Sequence, residues 1–272
     1  MTKRVILLID FSDYSVLLIK YAAVWAKFIG SKILLVHQNV FLTPGLSDIE
    51  SKAYIIQKTN DEALFKLKSL AFEHIPEQIN VEFLVTEDSL QISLNQLIKE
   101  NYDDLILLGL KGTGFFKQVF IGSMAMQLIE KIENIILALP MNIQKFSLEK
   151  INVYVSEGNS VNVIELNNFF RFLNEELTEL IFFTVAKTMD NTVELDRNMR
   201  ETVSLFEGRY KTNYKIYQGN NALQEIKKVI SNKKDEILVV QKKNMTFADY
   251  FLKTNIMNEL VTEGAIPLVI LP

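Results

Sequence analysis

Asp103-Asp-Leu-Ile-Leu-Leu108 and Asp235-Glu-Ile-Leu-Val-Val240 are one pattern met twice, two carboxylates running into four aliphatic residues. Continuing without a gap, Ile136-Leu-Ala-Leu-Pro140 falls on Leu268-Val-Ile-Leu-Pro272, at the same offset of 132 residues that separates Asp103 from Asp235. Two matches at one offset, each ending Leu-Pro, mark a tandem repeat. The second copy opens at Lys150-Ile-Asn-Val-Tyr-Val155, which echoes Arg4-Val-Ile-Leu-Leu-Ile9. The expected domains are therefore 1–140 and 150–272, joined by a linker over 141–149. A chain of 272 residues has room for both, since single domains usually run to roughly 100–150 residues.

Within the first copy, Val5–Ile9, Lys32–Val36, Val81–Val85, Asp104–Leu108 and Ile135–Leu139 read as strands, being short, aliphatic and mostly free of polar alternation. Between them, Ser12–Ile29, Asp48–His74, Ser89–Asn101 and Ser123–Ile132 carry apolar residues at helical spacing. Ser12 is placed to begin the first helix and Gly30 to end it in the left-handed conformation. In the second copy the expected strands are Lys150–Val155, Leu180–Val185, Tyr214–Tyr217, Glu236–Val240 and the closing run from Leu268. Helices are expected over Val161–Leu177, Asn191–Glu207 and Ala222–Ser231. Strands of this kind, alternating with helices, predict an α/β fold with parallel sheets covered by helices on both faces.

Composition excludes several kinds of chemistry. The formal net charge of −4 provides no basic field for a phosphate backbone, so nucleic acid is not expected as a partner. There is no cysteine for a disulfide, thiolate ligand or nucleophile, and two histidines, His37 and His74, are too few for a histidine-rich metal site. The first apolar run, Val5 to Ile9, is too short to cross a bilayer and is followed by an acidic, hydroxyl-rich turn rather than a cleavage site. No membrane partner is expected, and the cytoplasm is the expected location.

After the fourth strand comes Gly109-Leu-Lys-Gly112-Thr-Gly114, and later Gly122-Ser123-Met124 opens the next helix. Glycines allow close main-chain approach and left-handed turns, and the free N–H groups of such a turn and of a helix start point at an anion. Ser123 adds a hydroxyl donor. Other phosphate signatures fail: no Gly-Lys-[Ser/Thr] triplet occurs, and Gly112-Thr-Gly114 meets Lys117 where the dinucleotide fingerprint needs its last glycine.

The spacing of Gly109, Gly112, Gly122 and Ser123 fits G-x2-G-x9-G-[S/T], the nucleotide motif of the universal stress protein family, which the chain resembles over essentially its whole length in two copies. Ile9-Asp10-Phe11-Ser12-x-x-Ser15 and Leu34-Leu-Val-His37 also resemble that family's first and second strands. The resemblance implies two Rossmann-like domains, each an open five-stranded parallel sheet of order 3-2-1-4-5 with helices on both faces. In that order the ends of strands one and four meet at the topological switch point, where open α/β sheets bind ligands. It further implies an ATP-, ADP- or AMP-binding regulator of the stress response, with or without Mg²⁺, whose site residues are Asp10, Gly109, Gly112, Gly114, Gly122, Ser123 and Met124. Family members pair through their last strands, so a tandem chain supplies its own pseudo-dimer; a homodimer of two chains and an unidentified protein partner are the other associations left open.

The chain departs from the pattern at Leu8, where the family has proline, and at Leu110 and Lys111, where small or polar residues are usual. The second copy departs further: Gly109, Gly112, Gly122 and Ser123 become Gln241, Asn244, Thr254 and Asn255, and Asp10 becomes Ser156. It is expected to hold no ordinary ATP site. Plainer readings stand beside these. Asp10 can cap the first helix, His37 can be a satisfied strand-end histidine, Asp103-Asp104 reads as a solvated turn, and Phe115, Phe116 and Phe120 read as loop packing. Two other functions compete with nucleotide sensing: a slow ATP hydrolase, for which no assured base adjoins the glycine loop, and a ligand-free scaffold.

Overall fold

Aliphatic strands without polar alternation need cover on both sides, and the chain builds it twice. The structure is a computed structural model that describes residues 1–41, 49–110, 123–140, 143, 145–156, 161–186, 192–231, 233, 235–242 and 266–272. It contains two compact units.

The first unit is a parallel sheet in the order β3-β2-β1-β4, made of β1 (Thr2–Leu8), β2 (Lys32–Gln38), β3 (Val81–Thr86) and β4 (Tyr102–Leu110). Val5, Ile6, Leu7, Leu35, Leu105, Ile106 and Leu107 have no exposed surface. Over the sheet lie α1 (Asp13–Ile29), α2 (Ile49–His74), α3 (Leu90–Leu97) and, from Gln127 onward, α4 (Ser123–Lys131). The apolar stripe of α1, including Tyr14, Leu18, Tyr21, Ala22 and Trp25, is the face it buries. Gly30 ends that helix at φ 65°, its N–H bonded to the carbonyl of Ala26, as the left-handed cap requires.

Asp104, read from sequence as part of a solvated turn, is instead buried at the N-terminal end of the sheet. Its two oxygens accept from Nε and Nη2 of Arg4 at 2.7 and 2.9 Å, and Arg4 also donates to Glu100 and to the Leu97 carbonyl. The reason is register: Arg4 stands opposite Asp104 across the β1–β4 ladder. Burial works against the charge on Arg4, but the hydrogen bonds to Asp104 and Glu100 outweigh it and hold the guanidinium above its usual range. Arg4 and Lys32 both lie over the Tyr102 ring, at 4.2 and 3.8 Å from its centroid.

The second unit holds β5 (Ile136–Pro140), β6 (Lys150–Tyr154), β7 (Glu179–Ala186), β8 (Lys211–Gln218), β9 (Ile237–Gln241) and β10 (Leu268–Leu271) in the order β5-β10-β9-β6-β7-β8. Read from β8 to β10, the second repeat's own five strands are parallel and follow 3-2-1-4-5 in full. The unit boundary does not follow the repeat boundary expected near residue 140. β5, wholly buried and last strand of the first repeat, counts with the second unit and pairs antiparallel with β10, Leu268 opposite Ala138.

Helices α5 (Val163–Phe170), α6 (Thr192–Ser204) and α7 (Ala222–Ile230) complete the second unit. α5 is shorter than its apolar pattern predicts. Phe172 and Leu173 already close tight turns, and Asn174 Oδ1 accepts the N–H groups of Glu176 and Leu177, a local bond that competes with a further helical turn. Among the described residues, no helix is long and apolar enough to cross a membrane.

Candidate functional site

Strand β1 has β2 on one side and β4 on the other, so chain connections leave its C-terminal end in opposite directions there. That makes the edge beyond β1 and β4 the switch point of the first unit. Asp10 lies at this edge, three residues beyond Leu7, which pairs with Leu107 of β4, and its side chain is exposed. One oxygen, Oδ1, accepts from the Ser12 N–H at 3.0 Å, the Ser12 hydroxyl at 2.5 Å and the Ser15 hydroxyl at 2.9 Å. Asp10 thus organises the turn into α1. Ser12 begins the helix as expected, but its hydroxyl serves Asp10 instead of capping the helix amides.

Between them stands Phe11 at φ 58°, a left-handed conformation rare for a bulky residue and worth about 1–2 kcal/mol of strain. Its ring meets that of His37 at 4.2 Å between centroids, and Lys66 Nζ lies 5.7 Å from its centre. His37, at the end of β2, donates from Nδ1 to the Ile9 carbonyl at 2.7 Å and pairs through Nε2 with Asn39 Oδ1 at 3.0 Å. Asn39 donates on to Asn60 of α2, and Asn60 to Glu87 beyond β3. A line of polar bonds therefore ties together the ends of β1, β2 and β3 and the flank of α2. His37 is the satisfied strand-end histidine that the plainer reading expects. Phe11 is the member of this cluster that sequence reasoning missed, because a positive φ at a phenylalanine has no sequence signal.

Gly109 is the last residue but one of β4, on the same edge. A β-carbon built on it would run into the ring of Tyr14 and come within 3.3 Å of Leu18 Cδ1. Tyr14 follows Asp10 by four residues in α1, and burial pushes its phenol upward from the usual range. The first motif glycine therefore has a packing role of its own, admitting the start of α1 against β4. Gly112, Gly114 and Gly122 lie outside the described residues, as do Lys111 and the phenylalanines at 115, 116 and 120. Ser123 begins α4, and Met124 in its first turn is about half exposed. Among the described residues, no group of three or more His, Cys, Asp or Glu side chains could hold a metal ion.

The matching edge of the second unit is built differently. Ile151 pairs with Ile237 as Val5 pairs with Leu105, so Ser156 stands where the first unit has Asp10. Gln241, in the place of Gly109, keeps its side chain buried, and its Oε1 accepts the N–H of Asn162, the residue that caps α5, at 3.4 Å. A side chain thus occupies the position at which the first unit leaves bare main chain. Asn244, Thr254 and Asn255 lie outside the described residues.

Comparison with known proteins agrees with this construction. The sequence model of the universal stress protein family matches residues 1–138. Among solved structures, a universal stress protein from Archaeoglobus fulgidus DSM 4304 superposes with a TM-score of 0.68 at 16% identity, covering 98% of this chain and 97% of that one. A putative universal stress protein from Pseudomonas aeruginosa UCBPP-PA14 gives 0.64 at 15% identity, covering 99% and 93%. At such identities the structural likeness is one of fold. No curated protein matches the sequence.

Proposed function

The chain belongs to the universal stress protein family, and from that premise we propose that it is a non-enzymatic, adenine-nucleotide-binding regulator of the stress response with one site, in its first repeat. The observation that carries this reading is the first unit's switch point. There an exposed carboxylate on an ordered turn, Asp10, and a glycine, Gly109, end neighbouring parallel strands, and the glycine motif through Gly122 and Ser123 follows directly in sequence.

The chemistry suits the ligand. Main-chain amides freed by Gly112, Gly114 and Gly122, with the Ser123 hydroxyl, would hold the phosphates. Charge-assisted hydrogen bonds contribute about 1.5–3 kcal/mol each, so three or four would support micromolar affinity after the losses of association. Asp10 and the aromatic surface of Phe11 and His37 would face the nucleoside end. Mg²⁺, where present, would arrive with the phosphates. Gln241 and Ser156 support the assignment of a single site, since among the described residues at this edge the second unit has a buried side chain in place of Gly109 and a serine in place of the carboxylate.

Isothermal titration with ATP, ADP and AMP, together with mass spectrometry of nucleotide released from gently purified protein, tests the proposal. Micromolar binding is expected, weakened at least about tenfold in Gly122→Val, because a branched side chain blocks a main-chain approach. Absence of all three nucleotides from the purified protein, with no binding at millimolar ligand, would remove the reading.

A further inference from the structure

The line of side chains that leaves His37 dictates how many protons its ring must carry. His37 Nδ1 meets the Ile9 carbonyl at 2.7 Å, and Nε2 meets the carboxamide of Asn39 at 3.0 Å. The other end of that carboxamide meets Asn60 at 2.7 Å, and the far end of Asn60 meets Glu87 Oε1 at 3.1 Å. A carboxamide gripped at both ends donates at one and accepts at the other, whichever way it is turned. The Glu87 carboxylate only accepts, so Asn60 donates to it, Asn39 donates to Asn60, and Asn39 presents its carbonyl oxygen to His37. The Ile9 carbonyl at the near end also only accepts. A chain that runs between two acceptors therefore closes in full only when both nitrogens of His37 donate, which makes the ring an imidazolium.

With a neutral ring one link must fail. If Nδ1 still donates to Ile9, Nε2 accepts, both carboxamides turn over, and two acceptor oxygens face each other at Glu87. Asn39 is 9% exposed whereas Glu87 lies in solvent, so the break falls at Glu87, where water replaces the lost bond.

We propose that His37 is a positioning residue of the nucleotide site and works through this proton: as the imidazolium it fastens α2 to the ends of β1, β2 and β3 and steadies Phe11, and with it the Asp10 turn. The Phe11 ring lies 4.2 Å from that of His37, and an aromatic ring attracts a cation more strongly than a neutral imidazole. That attraction offsets the strain of φ 58° at Phe11, which stands between Asp10 and Ser12, the pair whose bonds order the turn. Among the described residues, charged groups reach the cluster from three elements: Asp10 from the turn into α1, Lys66 from α2, and Glu87 from the turn after β3. Of these, Glu87 is the one the chain connects to His37, so a carboxylate two carboxamides away governs the state of the ring. The nucleotide is accordingly held more tightly in mildly acid than in mildly alkaline solution. This effect on affinity rests on the adenine-nucleotide reading above; the proton relay does not.

Nuclear magnetic resonance of the ring nitrogens, on the full chain without ligand and with His74 as internal reference, follows the second ring proton between about pH 5 and about pH 8. Wild-type His37 is expected to keep it to higher pH than His37 of Glu87→Gln, whose terminal amide donates and lets the chain close on a neutral ring. Asn60→Ala, which cuts the relay and leaves the carboxylate in place, should behave as Glu87→Gln does. Asn60→Ala indistinguishable from wild type would mean that Glu87 acts through space, and would overturn the relay. Calorimetric titration with ADP then reads the consequence. The ligand's own ionisation is common to all forms, so the measure is the ratio of wild-type to Glu87→Gln affinity, expected to be at least about threefold larger near pH 6 than near pH 8. A ratio that does not change with pH overturns the positioning role. If no form binds ADP at any pH, the nucleotide reading falls and the positioning role with it, while the ring-nitrogen result still decides the relay.

Discussion

Gly109 shows how one residue can answer to two demands. In the family motif it opens the phosphate loop, and in this protein it also makes room for the Tyr14 ring against β4. The two roles separate by mutation. Gly109→Ala places a methyl group in the Tyr14 ring, and overpacking of this kind costs about 1–3 kcal/mol. A lowered urea midpoint is the expected reading. Adding Tyr14→Leu relieves the clash, so the double variant should recover part of that stability, a coupling visible as non-additivity. If the glycine also serves nucleotide binding, affinity will stay low in the double variant although stability returns. The motif spacing was legible in the sequence because it is a matter of counting. The Tyr14 contact was not, since it depends on where α1 leans over the end of β4. Nor was the bond between Ser12 and Asp10, which two short polar side chains could each have satisfied with main-chain amides instead.

At the level of elements, strands were easier to read than helix ends. Aliphatic runs such as Val5–Ile9 and Glu236–Val240 lie close to β1 and β9, because burial on both faces leaves a plain compositional mark. α5 stopped early where Asn174 offered its own carbonyl to two main-chain amides, a choice that apolar periodicity does not register. The ladder between β1 and β4 hides its most costly feature in an unremarkable acidic pair. Arg4 is 1% exposed, so removing its charge leaves Asp104 buried without its partner. Arg4→Met is expected to destabilise by about 3–5 kcal/mol, whereas Arg4→Met with Asp104→Leu should regain most of it, because an apolar pair needs no compensation. Urea denaturation of the three proteins measures both steps. The edge strand β8, by contrast, points Lys211 and Lys215 outward, the charges with which an exposed edge resists unwanted pairing.

Across the whole molecule, the repeat offset carried the architecture, and substitutions at repeat-equivalent positions carried its asymmetry. Calorimetry should find about one nucleotide per chain, and Gln241→Gly should not create a second site, since Ser156 still replaces the carboxylate and the remaining motif glycines are absent. A stoichiometry of two would show that the second repeat binds by other means. The place of β5, which belongs to one repeat by sequence and to the other unit by contact, follows not from counting along the sequence but from the resemblance, which has the last strands of the two copies pair. Its pairing with β10 joins strands 132 residues apart, from Ile136 to Leu268. Pairings between strands so far apart in sequence slow folding, and this one is expected to form after the local contacts of each sheet. Until it happens, the outer margin of β10 is a row of unpaired main-chain N–H and C=O groups between apolar side chains, and a β10 from another unfinished molecule offers the same chemistry. Refolding yield should for that reason fall with protein concentration, and chaperones that shield unpaired strands would have most to do at that moment.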